Sequence, residues 1–419
     1  MIFRRGETAL IVIIHEGCSR DLFPLTGQQK AKVFYQAGGR QSLFEGQLQM
    51  GLSLTAPDHI VVLAEGRDCG AAREQAEHAG AEGISVLEDS LAPGSLLVMM
   101  KVYAYCRDIL KADEEEVLIF SSADCGVSPK EAAVDFLKKA AARAGEGRMI
   151  GIEYAPLPGC EETQGKRSKV HMAAVSMKTL KRNIEETGRE AASLLSLPYD
   201  DISRQTAENE AGTISGHRSF TCPSMILMKP PAVYACEVNT LEDFYEWLKQ
   251  EDSDSSHNVL CGPVAAKDCS DSLILGGQRP MAVEGLHHYI AADTPEALVI
   301  LPVGHGQEGQ AMTAPYRKDS AVLEGVPVPV EWGTDCVLKT GDGWAVRCLV
   351  IRPGREVPRH MHRHMRECIN VMSGEGTAFF DGKQRILQKN QCSLVPPGAW
   401  HRLVNTGQTE WIVISTMTV

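Results

Sequence analysis

Four side chains near the C-terminal end of the chain have the types and the spacing of metal ligands. His360 and His362 are two residues apart, Glu367 follows five residues later, and His401 comes further along. Residues i and i+2 of a strand share a face, so both imidazoles can point to one side of a sheet. Three imidazoles and one carboxylate leave positions open on a divalent ion. This pattern predicts a catalytic type of metal site for Zn, Mn, Fe, Co or Ni.

His364 continues the same alternation along the chain. It can replace His360 as a ligand, or it can act as an acid or base in the pocket, because an imidazole exchanges protons near neutral pH. The alternative for the whole histidine cluster is a solvated, cationic strand end that holds no metal.

The segment that must position these residues, 331–419, consists of short apolar runs and turns, which predicts a β-barrel. The first 250 residues instead alternate apolar runs with segments of helical period, which predicts a mostly parallel sheet covered by helices. The expected strands are Leu10–Ile14, Ile60–Ala64, Glu116–Ser121 and Met149–Glu153. The expected helices are Ser42–Met50, Cys69–Ala79, Leu97–Leu110, Pro129–Ala144 and Leu241–Leu248.

Two local patterns add detail to this division. Ser128 is expected at the N-cap of a helix whose first residue is Pro129. Between the two main parts, residues 257–303 carry apolar side chains at about six-residue steps, which indicates a few coils of a left-handed β-helix. The predicted domains are therefore 1–250, 257–303 and 331–419.

Composition narrows the classes of partner. The chain of 419 residues has a net charge of −12, so an acidic surface disfavours nucleic acid and anionic membranes as partners. No apolar run approaches the length of a membrane span. Thirteen cysteines, without CxxC pairs, fit free thiols in a reducing compartment. We therefore expect a cytoplasmic protein with no nucleic-acid or membrane partner, and a homodimer stays open.

The surroundings of the four predicted ligands resemble the two motifs of the cupin family. Gly354 and Gly374 flank the first group of ligands, and Pro396 and Gly398 precede His401. Asn390 stands where the second motif opens with glycine. This resemblance implies a cupin β-barrel with a metal bound by the two motif histidines, the glutamate and the later histidine.

The order of the parts resembles the bifunctional mannose-1-phosphate guanylyltransferase / mannose-6-phosphate isomerase (type II) family over nearly the whole chain. The segments VIIHEGCSRDLFPLTGQQKAKVF, SLFEGQLQ and FSSADCG follow family blocks in order. The resemblance implies a Rossmann-like nucleotidyltransferase α/β domain, a short left-handed β-helix-like linker and a C-terminal cupin. It also implies that Lys32 and Asp124 occupy the positions of the active-site lysine and of the aspartate that holds Mg, with GTP as the nucleotide.

Several family residues are replaced. Glu16 and Asp21 put carboxylates into the loop that should cradle a triphosphate, and carboxylates repel phosphates. Pro223 and Asn239 stand where acidic residues are expected. His360 replaces a family glutamine, and Met365 stands where the family has arginine. These changes predict a degenerate nucleotidyltransferase domain beside a better preserved metal site.

Three functions follow as hypotheses. The first is a metal-dependent isomerase that interconverts mannose 6-phosphate and fructose 6-phosphate, a small sugar phosphate being the partner molecule and His364 the proton carrier. Arg347, Arg363, Arg366 and Arg402 are candidates for its phosphate contact. The second is guanylyl transfer to mannose 1-phosphate, with Mg and GTP at Lys32 and Asp124. The third is a diverged metal-binding cupin whose α/β domain is a scaffold or sensor.

Overall fold

The computed structural model of the chain describes residues 10–16, 22–26, 31–89, 96–160, 170–187, 189–208, 225–277, 279–294, 297–314, 324–325, 327–330, 332–380 and 383–419. The chain forms two compact units, residues 1–317 and 318–419. In the described residues, no helix has the length and apolar character that crossing a membrane would require.

The first part of the first unit alternates strands and helices. Its strands are β1 (Leu10–His15), β2 (Ile60–Ala64), β3 (Ser85–Glu88), β4 (Val117–Ser122), β5 (Cys125–Ser128), β6 (Ile150–Ile152), β7 (Ala155–Pro156), β8 (Met172–Ser176), β9 (Ile226–Met228) and β10 (Tyr234–Glu237). Its helices are α1 (Leu43–Leu52), α2 (Cys69–His78), α3 (Leu96–Asp108), α4 (Lys130–Gly145), α5 (Met177–Glu186), α6 (Arg189–Leu195), α7 (Tyr199–Glu208) and α8 (Leu241–Glu251). Short 3₁₀ turns cover Lys32–Phe34, Ala37–Gly39 and Pro57–His59.

A seven-stranded sheet in the order β3-β2-β1-β4-β8-β6-β9 forms the centre of this part. The strands β3, β2, β1 and β4 run parallel, whereas β8 is antiparallel to both of its neighbours. Every residue of β1 is buried, because alternate side chains enter two separate apolar clusters. Val12 and Ile14 pack with α1, α2 and α4 on one face, and Ile11 and Ile13 pack with α3 and α5 on the other. The predicted α/β class is therefore confirmed.

The start of α4 differs from the sequence prediction. Pro129, not Ser128, occupies the N-cap position, and the helix begins at Lys130. Ser128 is instead the last residue of β5 and pairs with Tyr234 of β10. Ser128 therefore belongs to a strand because of a long-range pairing, although the local pattern predicts it as the helix cap.

A small sheet in the order β5-β10-β7 follows the main one, with β10 antiparallel to β5 and parallel to β7. The chain then forms β11 (Val259–Cys261), β12 (Val264–Lys267), β13 (Leu273–Leu275), β14 (Met281–Glu284), β15 (Tyr289–Asp293), β16 (Leu298–Pro302) and α9 (Gly306–Thr313). Strand β13 lies parallel between β11 and β15, and β12 pairs parallel with β14. Stacked parallel strands of this kind agree with the predicted β-helix-like linker.

The second unit is all β. Its strands are β17 (Pro327–Val330), β18 (Gly333–Gly341), β19 (Trp344–Ile351), β20 (Glu356–His360), β21 (Arg366–Ser373), β22 (Glu375–Phe380), β23 (Lys383–Gln388), β24 (Cys392–Val395), β25 (His401–Val404) and β26 (Trp411–Thr418). They form two antiparallel sheets in the orders β17-β18-β19-β26-β21-β24 and β20-β25-β22-β23. Alternate residues such as Ile369, Val371 and Val413 fill the apolar core. The three domain boundaries within the chain stay predictions.

Candidate metal centre

One strand end, the starts of two other strands and one bend position the four predicted ligands. His360 is the last residue of β20, His401 is the first residue of β25, and these two residues are directly paired. Glu367 is the second residue of β21, and His362 lies in the irregular segment between β20 and β21. The chain bends after His362, so Glu367, five residues later in the sequence, returns toward the histidines.

The four side chains converge on one point. Their ligand atoms all lie within 4.8 Å of one another. Glu367 Oε2 is 2.8 Å from His401 Nε2 and 3.4 Å from His362 Nε2. Around a single ion with bonds of about 2.1 Å, neighbouring ligand atoms are about 3–4 Å apart. The cluster therefore has the dimensions of a site for one ion.

Backbone carbonyls orient two of the imidazoles. His360 Nδ1 is 2.7 Å from the carbonyl oxygen of Pro358, and His401 Nδ1 is 3.1 Å from that of Ala399. A carbonyl only accepts, so each Nδ1 carries the proton and donates it. The Nε2 atom of each ring is then the one with a lone pair, which is the form that binds a metal.

Ser415 orients the carboxylate. This residue lies on β26, is 1% exposed, and donates a hydrogen bond from Oγ to Glu367 Oε1. The other oxygen, Oε2, faces His362 and His401. The sequence prediction did not include Ser415. A signal was present, because Trp411, Val413, Ser415 and Met417 alternate along an apolar strand and only the serine is polar.

The electrostatics of the cluster favour its metal-binding protonation state. Burial alone would raise the pKa of Glu367, but the adjacent imidazole of His401 and the hydrogen bond from Ser415 outweigh it and lower that pKa to about 2. Burial lowers the pKa of His360. A carboxylate and a neutral imidazole are the forms that coordinate a cation.

The residues present fit a divalent ion. Within the described part of the chain, the buried Nε2 atom of His362 has no hydrogen-bond partner. Leaving such an atom unsatisfied is costly, and a bound cation removes that cost. Three nitrogens and one oxygen are a donor set that Zn, Mn, Fe, Co and Ni all accept.

His364 lies outside the cluster. It is exposed in the bend that joins His362 to Glu367 and is not one of the four converging residues. Its expected role as an acid or base therefore stays a prediction, and the structure gives it no position as a ligand.

The candidate arginines fall into two groups. Arg347 forms an ion pair with Asp335 through two of its nitrogens, and Arg402 Nη1 is 3.0 Å from Glu356 Oε2. These guanidinium groups already have carboxylate partners. Arg363 and Arg366 are exposed, so they are the members of the set more open to an anionic ligand.

The structure also brings together the residues predicted for the first unit. Lys32 is fully buried, its Nζ donates to Asn239 Oδ1 at 2.9 Å, and Asp124 Oδ2 lies 4.0 Å from the same nitrogen. Asn239 itself is exposed. The predicted lysine, aspartate and asparagine thus form one cluster in which the Asp124 carboxylate faces the Lys32 ammonium group.

The expected nucleotide loop is described only at its start. Glu16 is buried, and its Oε2 accepts a hydrogen bond from the backbone nitrogen of Glu65 at 2.9 Å. This glutamate therefore links the ends of the interior strands β1 and β2. Asp21 and Pro223 lie outside the described residues.

Comparison with known proteins extends these observations. The family profile described as "Cupin domain" matches residues 347–416. The "Alginate biosynthesis protein AlgA" of Pseudomonas aeruginosa is 22% identical over 452 aligned positions, which cover 95% of this chain and 91% of that protein. The "Mannose-1-phosphate guanylyltransferase" of Sinorhizobium fredii is 27% identical, but the match covers only 42% of this chain and 36% of that protein.

One solved structure supports the fold of the first unit. The crystal structure described as "mannose-1-phosphate geranyltransferase" from Thermus thermophilus aligns with a TM-score of 0.56 and 16% identity. The alignment covers 74% of this chain and 99% of that protein. At this identity the likeness concerns the fold alone.

Proposed function

Because the chain is a diverged relative of the mannose-1-phosphate guanylyltransferase and AlgA family with a C-terminal cupin domain, we propose that it is a metal-dependent aldose–ketose isomerase. The proposed reaction interconverts mannose 6-phosphate and fructose 6-phosphate in the cupin. The observation that carries the proposal is the convergence of three histidines and Glu367 within 4.8 Å.

Each part of the site has a role in this proposal. His360, His362, Glu367 and His401 would hold a divalent ion, which would supply Lewis-acid chemistry at the sugar carbonyl. Ser415 and the two backbone carbonyls hold the ligand side chains in place. His364, exposed in the bend between two ligands, is suited to exchange a proton with the sugar and with solvent. Arg363 and Arg366 are exposed cations near that bend for the phosphate.

The test is an isomerase assay on the full chain after removal of metal and reloading with Mn, Co, Ni or Zn. We expect turnover that depends on the metal added. His362→Ala is expected to lose both metal and turnover. His364→Ala is expected to keep the metal and to lose about 10²–10⁴-fold in kcat. The two substitutions remove neighbouring histidines, so they separate the ligand from the proton carrier.

Two results would overturn the isomerase assignment. The first is a chain that holds metal with every one of these ions and still gives no interconversion. The second is unchanged turnover in His362→Ala. Circular dichroism of each variant, compared with the metal-free wild type, distinguishes loss of the site from loss of the fold.

Guanylyl transfer from GTP to mannose 1-phosphate is the second candidate, favoured by the cluster of Lys32, Asp124 and Asn239. Against it, the three described residues of this cluster would offer Mg the carboxylate of Asp124 beside an ammonium group, and Mg prefers carboxylate oxygens. Formation of GDP-mannose that is lost in Asp124→Asn would establish this activity. Absence of both reactions, with metal still bound in the cupin, would favour the third candidate, a non-catalytic metal-binding protein.

A further inference from the structure

A pair of cysteines in the first unit lies outside both clusters described above. Cys160 Sγ and Cys236 Sγ are 2.9 Å apart, and both residues are fully buried. They are 76 positions apart in the sequence. Both belong to the large apolar cluster of this unit.

The backbone fixes both sulfurs. Cys236 lies in β10, the middle strand of the small sheet, and pairs with Gly126 of β5. On the other side of β10, the nitrogen of Leu157 donates to the carbonyl of Ala235 at 2.9 Å. The nitrogen of Cys160 then donates to the carbonyl of Leu157 at 2.9 Å, which closes a turn. This turn directs Cys160 toward Cys236, so the contact is built into the small sheet.

A metal ion does not account for the pair. Asp243 is the third potential ligand nearby, but its Oδ2 accepts hydrogen bonds from the backbone nitrogens of Asn239 and Thr240. That carboxylate is engaged in capping α8. Two thiolates on one tetrahedral zinc ion are about 3.8 Å apart, which is wider than this contact. The two sulfurs are therefore in direct contact, closer together than two ligands of one zinc ion would be.

We propose that Cys160 and Cys236 are a reversible disulfide site of the first unit. With a low-molecular-weight disulfide as oxidant, one thiolate attacks it and releases one small thiol. The second thiolate then displaces the other small thiol and forms the Cys160–Cys236 bond. Two cysteine thiols are oxidised, one small disulfide is reduced to two small thiols, and the two protons pass to those products.

The cross-link acts on a strand that leads to the Lys32 cluster. Two residues after Cys236, the nitrogen of Val238 donates to the carbonyl of Asp124 at 2.9 Å, and the next residue, Asn239, contacts Lys32. The hydrogen bond with Cys160, together with burial, holds the pKa of the Cys236 thiol far above its usual range. Because thiolate is the reacting form, exchange in the folded protein is slow.

The experiment incubates the full chain with oxidised glutathione and, in parallel, with a reductant. Both samples are alkylated in denaturant and digested without reduction. We expect a peptide pair that links residues 160 and 236 only in the oxidised sample. The cross-link closes a long loop, so it is expected to raise the midpoint of thermal unfolding by roughly 5–10 °C.

Matched variants complete the test. Cys236→Ser and Cys160→Ser are each expected to abolish both the linked peptide and the rise in the midpoint. Cys106→Ser removes another fully buried thiol of the same unit and is expected to keep both. Alkylation of Cys160 and Cys236 as separate thiols after oxidation would overturn the proposal. So would zinc that purifies with the chain and is lost in Cys236→Ser.

Discussion

At the scale of single residues, the candidate metal site depends on groups that do not themselves point at the metal. The carbonyls of Pro358 and Ala399 select the Nε2 atoms of two histidines, and Ser415 selects one oxygen of Glu367. Partners of this kind fix the ring tautomer and the direction of the ligand atoms. The ligand set is therefore oriented before a cation arrives.

Replacing Ser415 tests this orientation directly. Ser415→Ala is expected to weaken metal binding by about 10–100-fold, because Glu367 loses the hydrogen bond that Ser415 donates to Oε1. Ser415→Thr keeps the hydroxyl and is expected to restore most of the affinity. Competition against a chromophoric chelator measures both values. Equal affinity in the alanine variant and the wild type would show that Ser415 has no role in positioning Glu367.

Lys32 offers a residue-scale test in the first unit. Its ammonium group is fully buried beside Asp124 and Asn239. Lys32→Met removes the cation and leaves the Asp124 carboxylate without it, so the free energy of unfolding is expected to fall by about 2–3 kcal/mol. Lys267→Met, at an exposed lysine of the same unit, is the control and is expected to change stability little. Denaturant unfolding measures both, and equal stabilities would contradict the prediction.

At the scale of elements, the end of α3 holds the segment that contains α6 and α7. Arg107 donates to the carbonyls of Leu195 and Leu197, and Asp108 Oδ2 accepts from the backbone nitrogen of Tyr199 at 2.8 Å. The hydrogen bond from Arg107 holds the pKa of Asp108 below its usual value, against a smaller effect of burial. One ion pair thus joins a core helix to two short helices.

The lowered pKa of Asp108 predicts a pH dependence. A carboxyl group with a depressed pKa stabilises the fold above its unfolded pKa of about 3.9, and that contribution is lost as the pH falls through the folded value. Asp108→Asn is expected to cost about 1 kcal/mol at pH 7. The difference from wild type should shrink as the pH falls from about 5 to about 3 in denaturant titrations. A difference that stays constant with pH would contradict this account.

The sequence predicted most elements because apolar periodicity is a local property. The strand at Ile60–Ala64 was predicted with the bounds that the structure shows, and the helix at Leu241 begins where expected. The cap at Ser128 was wrong, since β5 pairs with β10 more than a hundred residues later. The spacing of residues within a short segment does not show which distant strand will pair with it.

The same distinction holds for the site. Motif spacing predicts the ligands His360, His362, Glu367 and His401, and the structure places these four residues together. Ser415 was missed because its partner, Glu367, is 48 positions away. His364 was assigned to the ligand face from simple alternation, but a bend follows His362 and leaves it exposed. Alternation predicts a face only while the strand continues.

At the scale of the whole molecule, each unit carries its own core and its own cluster. The four converging ligands and Ser415 belong to residues 318–419, and the Lys32 cluster and the cysteine pair belong to residues 1–317. A cation that binds only the folded second unit stabilises that unit by RT ln(1 + [L]/Kd). Events at one cluster can therefore be followed separately from events at the other.

Calorimetry of the full chain tests this separation. Metal at about 100 times its Kd is expected to stabilise the second unit by about 2.7 kcal/mol and to raise one unfolding transition. The transition of the first unit should keep its midpoint. Oxidation of Cys160 and Cys236 should instead raise the midpoint of the first unit and leave that of the second unit unchanged. A metal-induced rise confined to the transition of the first unit would contradict the assignment of the site.

The most direct test of the central claim is the metal content of the full chain. The protein is stripped with a chelator, reloaded with Mn, Co, Ni or Zn, and analysed by plasma mass spectrometry after gel filtration. We predict one ion per chain for the wild type and for His364→Ala, and less than a tenth of that for the double variant His362→Ala, Glu367→Gln. One ion per chain in the double variant, or none in the wild type with any of these metals, would contradict the account.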